Sequence, residues 1–172
     1  MSQIRRPAQL KIFELPALLK ELERWHGAGD EIVFTNGVFD ILHAGHIDYL
    51  EKAAALGNRL IVGVNDDDSV RRLKGETRPI NVLASRMYLM ASLSCVDAVI
   101  SFSEDTPLNL INTLRPDILV KGGDYTTETI VGAEEVLSWG GCVEVIPFVD
   151  GFSTSKLESK ILDLHRAKNK DV

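Results

Sequence analysis

Short apolar runs alternate with segments whose apolar residues recur at helical spacing. Ile32-Val33-Phe34, Arg59 to Asn65, Ala98-Val99-Ile100, Asp117 to Val120 and Val143 to Pro147 read as five buried strands. Between them, Ala44 to Leu56, Leu83 to Leu93, Thr106 to Leu114 and Ile130 to Trp139 read as helices, with Thr106-Pro107 as cap and first-turn proline of the third. Before the first strand, Leu18, Leu22 and Trp25 place an apolar stripe on a helix from about Leu15 to His26, which Gly27-Ala28-Gly29-Asp30 ends. That helix is expected to pack on the sheet or on a partner subunit. A terminal helix follows Gly151-Phe152-Ser153-Thr154 and runs to about His165.

Strands alternating with helices predict a single α/β domain, a Rossmann-like doubly wound sheet of five parallel strands in the order 3-2-1-4-5. Residues 1–30 form an arm and helix, 31–150 the core, and 151–172 a phosphate-contacting segment with the last helix. In that order ligands bind beyond the carboxyl ends of strands 1 and 4, where the order reverses. Both strands run into glycine there, at Gly37 and at Gly122-Gly123.

The first of these exits carries the chemistry. His43-Ala44-Gly45-His46 sits where a strand passes into a helix. A helix start offers unpartnered N–H groups and partial positive charge, so a phosphate is stabilised there, and two imidazoles three positions apart add directional donors. Gly45 leaves room for a nucleotide to approach the backbone. Local packing of His46 is the plainer alternative. Zinc fits poorly, since two histidines need further ligands and neither cysteine supplies a paired motif. Ser153 and Thr154 suit either a helix cap or phosphate oxygens.

Composition narrows the class. A chain of 172 residues with a formal charge of −6 has room for one core and no broad basic face for nucleic acid. Arg71, Arg72, Lys74 and Arg78 nonetheless cluster behind the second strand, as candidates for an anionic substrate or as solvated helix charge. One of Asp66, Asp67 and Asp68 is expected to cap the short helix there, with a magnesium role as the alternative. Cys95 and Cys142 lie in apolar surroundings and read as reduced core thiols of a cytoplasmic protein, with no membrane span or signal peptide.

The motifs, taken in order, resemble those of the HxGH nucleotidyltransferases, and most closely the heptose 1-phosphate adenylyltransferases within them. The set is Thr35-Asn36-Gly37-Val38-Phe39-Asp40, His43 to His46, Arg72-Leu73-Lys74-Gly75, Arg78-Pro79, Asp105-Thr106-Pro107, Lys121 to Tyr125 and Gly151 to Thr154. The resemblance spans about Ile32 to Ile161. Related cytidylyltransferases usually carry Arg-Thr before the last motif's Gly; here Phe148-Val149 precede Asp150-Gly151, which favours ATP over CTP.

The resemblance implies transfer of AMP from ATP to D-glycero-D-manno-heptose 1-phosphate, with Mg²⁺ carried mainly on the ATP phosphates and no protein metal ligands assigned. It makes His43, His46, Lys74, Ser153 and Thr154 catalytic. It assigns Thr35, Asn36, Gly37, Phe39, Gly45, Gly122 and Asp124 to the nucleotide, with backbone near Val145 to Phe148 reading adenine. Asp40, Asn65 and Arg78 go to the substrate, although Asp40 by itself reads mainly as a turn residue. It further implies a homodimer or higher homo-oligomer, and a separate heptose kinase upstream because no kinase domain is present here. Other members of the family, a polyol-phosphate cytidylyltransferase or a pantetheine-phosphate adenylyltransferase, and a non-catalytic nucleotide sensor are the alternatives.

Overall fold

The computed structural model describes residues 7–147 and 151–168; the expectations placed on Phe148, Val149 and Asp150 lie outside them. Five parallel strands, β1 (Ile32–Gly37), β2 (Arg59–Asn65), β3 (Ala98–Phe102), β4 (Ile118–Gly122) and β5 (Cys142–Ile146), form one sheet in the order β3-β2-β1-β4-β5. The predicted order holds. The register of β1 on β2 runs from Ile32 beside Arg59 to Gly37 beside Val64, and β4 joins the other side of β1 through Val33 and Phe34.

Alternation along β1 divides the core. Ile32 and Phe34 face α1 (Leu15–Gly27), α5 (Leu108–Leu114) and α6 (Ala133–Ser138), against Leu18, Leu22, Trp25, Ile111 and Val136. Val33 faces the opposite layer, with Tyr49, Leu50 and Ala53 of α2 (Ala44–Ala54) and Met87, Met90 and Ala91 of α4 (Leu83–Ser92). Helices on both faces explain why the central strands are continuously apolar instead of alternating. The first helix therefore packs on the sheet, through the predicted stripe. Removing a side chain such as Leu50, with no exposed surface, would cost about 2–5 kcal/mol.

Several local expectations shift. Pro107, not Thr106, occupies the cap position of α5, which begins one residue later than a first-turn proline requires. The helix expected from Ile130 is shortened to α6, because a 3-10 turn at Thr127–Thr129 precedes it and Gly132 at φ 91° sets its start. Cys142 is exposed, a correction to the core-thiol reading: it begins the edge strand β5, where alternate residues face away from the core. Among the described residues no helix is long and apolar enough to cross a membrane.

Candidate active site at the carboxyl ends of β1 and β4

The chain leaves β1 through a crowded turn. Phe39 takes a positive φ of 50°, uncommon for a residue with a side chain, and its ring folds back over Gly37. A Cβ at Gly37 would lie 3.0 Å from that ring. The same ring meets His46 edge-on, with centroids 5.6 Å apart. His43 is the extended residue that caps α2, and its carbonyl accepts from the N–H of His46 at 2.9 Å.

The two imidazoles are stacked, 3.9 Å between centroids. Each has a buried Nδ1 without a hydrogen-bond partner. Burial holds both below the ordinary histidine range; His46 is pushed down to about 4 by burial and then by the neighbouring His43. Both rings are therefore neutral at pH 7, each with one N–H to donate and one nitrogen to accept. Gly45, expected to make room for a nucleotide, also makes room for a protein neighbour. A Cβ there would lie 3.0 Å from Phe152 Cβ and 3.1 Å from His43 Nδ1, so its missing side chain lets the segment before α7 (Thr154–Lys168) close over the histidine pair. Ser153 caps that helix, its Oγ accepting from the N–H of Lys156 at 3.2 Å.

The adjoining cleft has two lobes. The larger, about 510 Å³, is lined by Asn36, Gly37, Phe39, Asp40, His46, Lys74, Arg78, Gly122 and Thr154 among the expected residues. The smaller, about 380 Å³, holds Asn65 with Asp105, Thr106 and Thr129, and shares Asn36, Gly37, Lys74, Lys121 and Tyr125 with the first. His43 stands behind His46 and lines neither lobe, nor does the exposed Asp124. Thr35 is fully buried beneath the cleft, its hydroxyl 2.6 Å from that of Tyr49. Burial pushes the Tyr49 phenol up to about 12, and Tyr49 also donates to the Val120 carbonyl, tying β1, α2 and β4 together.

Polar side chains around the cleft are divided between holding loops and facing space. Asp40 accepts from the N–H groups of Asn81 and Ile80 and from Arg78 at 2.8–2.9 Å. Burial alone would raise its pKa, but these donors outweigh that and hold the carboxyl below its usual range. Arg78 also pairs with Glu158 on α7. Of the other clustered bases, Arg71 pairs with Asp68 on its own helix, α3 (Asp67–Lys74), and Arg72 reaches Asp105 at 2.7 Å. Those two contacts favour the surface-charge reading of the arginines; Lys74 alone of the three faces the cleft. Asp66 caps α3 through the Ser69 N–H, and Asp67 pairs with Arg86. Arg86 has no exposed surface and donates to the carbonyls of Asn81 and Val38 as well, which locks the cleft rim from beneath. Nothing in the sequence marked Arg86 as part of the site, and Lys121 was marked only as the first residue of the motif running to Tyr125, with no role of its own.

Asp40 spends its oxygens on three donors and each of the three consecutive aspartates is engaged elsewhere, so Mg²⁺ carried on bound phosphates fits these residues better than a carboxylate cage. Among the described residues no group of three or more His, Cys, Asp or Glu is placed to hold a metal.

Comparison with known proteins agrees with this architecture. The bifunctional protein HldE of Citrifermentans bemidjiense is 55% identical over 152 residues, 88% of this chain and 31% of the relative. That of Actinobacillus succinogenes is 60% identical over 136 residues, 79% of this chain and 29% of the relative. The chain thus spans about three-tenths of the length of these curated relatives. Among solved structures, the lipopolysaccharide core biosynthesis protein of Thermoplasma volcanium superposes with a TM-score of 0.56 at 34% identity, covering 70% of this chain and 98% of that one. Pantoate-beta-alanine ligase of Francisella tularensis shares the fold, with a TM-score of 0.52 at 16% identity over 80% of this chain and 73% of that one. The cytidylyltransferase-like family model matches residues 34–161, from the middle of β1 into α7, and the chain belongs to that family of nucleotidyltransferases.

Proposed function

We propose that this domain transfers AMP from ATP to D-glycero-D-manno-heptose 1-phosphate, forming ADP-heptose and pyrophosphate for lipopolysaccharide core synthesis. The observation that carries the reading is the pair of neutral, stacked imidazoles at the start of α2, of which His46 lines a cleft whose second lobe presents Asn65, Asp105, Thr106 and Thr129. The first feature suits a triphosphate, and the second suits a molecule rich in hydroxyls. Likeness to a lipopolysaccharide core biosynthesis protein supports the acceptor.

A phosphate monoester has a second pKa near about 6 and is mostly dianionic at neutral pH, so its oxygen attacks without a general base. That oxygen forms a bond to the α-phosphorus as the bond to the bridging β-oxygen breaks, and pyrophosphate leaves with the electron pair. The chain's part is positioning and charge stabilisation. His46 donates an N–H to a phosphoryl oxygen as charge builds, His43 holds that ring by stacking and can donate at its outer edge, and the first N–H groups of α2 add their dipoles. Lys74 meets phosphate where the lobes join, and Thr154 with the capped start of α7 faces the outer phosphates. Bound Mg²⁺ would supply charge neutralisation of the triphosphate.

Pyrophosphate release with Mg²⁺, heptose 1-phosphate and either ATP or CTP tests this. Release that requires ATP and the sugar phosphate together is expected. Release with CTP alone of the two nucleotides, or with pantetheine phosphate instead of the sugar, would replace the substrate assignment; ATP binding without release would move the chain to a sensor.

A further inference from the structure

Lys121 is the cleft residue that this reaction leaves without a task. It stands near the end of β4, half-buried, with Nζ 3.2 Å from Asn36 Oδ1 and 5.9 Å from the centre of the Tyr125 ring. Among the described residues no carboxylate pairs with it, although most other basic groups around the cleft are paired: Arg71 with Asp68, Arg72 with Asp105, Arg78 with Asp40 and Glu158, Arg86 with Asp67. An ammonium withdrawn from water with one amide oxygen and a ring face for company is costly, and an arriving anion offsets that cost. Burial holds its pKa below the ordinary lysine value, the direction a missing counter-charge predicts.

Its position says which anion. Lys121 and Lys74 line both lobes, whereas His46 lines only the larger and Asn65 only the smaller. Lys74 is exposed at the end of α3, while Lys121 is fixed by Asn36 and Tyr125. Both lysines therefore stand where the hydroxyl-lined lobe adjoins the lobe that His46 lines, the place a phosphate bridging the two lobes would occupy. We propose that Lys121 grips the acceptor's phosphate monoester at this seam and aims its oxygen at the α-phosphorus, so that it selects phosphorylated acceptors; the proposal rests on the adenylyl-transfer reading above.

Lys121→Met keeps the length of the side chain and removes the charge. Relative to wild type it should raise KM for heptose 1-phosphate and lower kcat/KM for it about ten- to a hundredfold, with KM for ATP within about twofold. Lys121→Arg should recover part of the loss. The free Lys121→Met protein should melt no lower than wild type, because a methionine relieves an uncompensated charge, whereas a merely structural lysine would lower the melting temperature. Stabilisation of the wild type by inorganic phosphate, read by thermal unfolding, should be weaker in the variant, the remainder coming from phosphate at His46 and Lys74. An unchanged acceptor KM, a rise confined to the ATP KM, or equal stabilisation of both proteins by phosphate would overturn the proposal. If wild type releases no pyrophosphate with any acceptor, the adenylyl reading fails, and the phosphate titration still decides the role of Lys121.

Discussion

The two ends of the one sheet treat polar groups in opposite ways. At the amino ends of the strands, Asp117 accepts from the Ile32 N–H at 2.7 Å, Asp97 from the Leu60 N–H at 2.9 Å, and Arg59 is held by Asp30 and Asp97. The orphan near that end, Trp25 Nε1, belongs to an indole lying under the Arg59 guanidinium. At the carboxyl ends, both histidine Nδ1 atoms lie buried without partners, and Lys121 has no counter-ion among the described residues. Satisfied polar groups stabilise a fold, and unsatisfied ones are tolerated where a ligand completes them. Trp25 Nε1 apart, the first end is the finished one; at the second, paired groups such as Asp40 and Arg86 stand beside unpaired ones.

Mutation should break that contrast most sharply at the unfinished end. His46→Ala is expected to reduce turnover about tenfold to a thousandfold through loss of a donor to the transition state, with His43→Ala similar, while both proteins keep their melting temperature. Steady-state pyrophosphate release beside thermal unfolding reads both quantities; turnover near wild type would remove the histidines from the mechanism. At the finished end the pattern should invert. Asp97→Ala strips the Leu60 N–H and Arg59 of a shared acceptor and should cost about 1–3 kcal/mol of stability, with turnover unchanged well below the melting point. Chemical denaturation measures the loss, and a fall in turnover at low temperature would mean that the two ends are coupled.

The smallest expected effect concerns pH. His46 takes its proton near pH 4 in the folded protein, and an unfolded histidine takes it near about 6.5. The unfolded chain therefore binds more protons between these values, so stability is insensitive to this group above about pH 6.5 and falls as pH drops from there toward 4. His46→Gln should flatten that part of the profile in denaturant titrations, and bound ATP should do the same by favouring the protonated ring. Parallel profiles for wild type and variant would show that burial of His46 does not control its proton.

These contrasts also mark what the sequence could carry. The parallel sheet followed from strands alternating with helices and its order from the Rossmann-like pattern, and His43 and His46 became candidates through their place at a strand exit. Arg86 escaped altogether and Lys121 was legible as the start of a motif but not in its role, because an arginine in a helix or a lysine ending a strand has the same local pattern whether it faces water or is enclosed by distant segments. Their surroundings come from residues such as Asn36, Asp67 and Val38, which only the tertiary fold brings near. Cys142 erred the other way: its apolar neighbours in sequence suggested burial, although the predicted order already put the fifth strand at an edge, where alternate residues face away from the core. Gly45 was legible as a need for space, while its occupant, Phe152, was not.

That pairing of Gly45 with Phe152 sets an order of assembly. On the ribosome the histidines are made well before the segment that roofs them, with β2 to β5 and α3 to α6 in between. Until it arrives, the helix start is open to water and to any passing anion. A chain that stops short of Phe152 already contains all five strands and α1 to α6, yet lacks the residue that stands over the histidine pair.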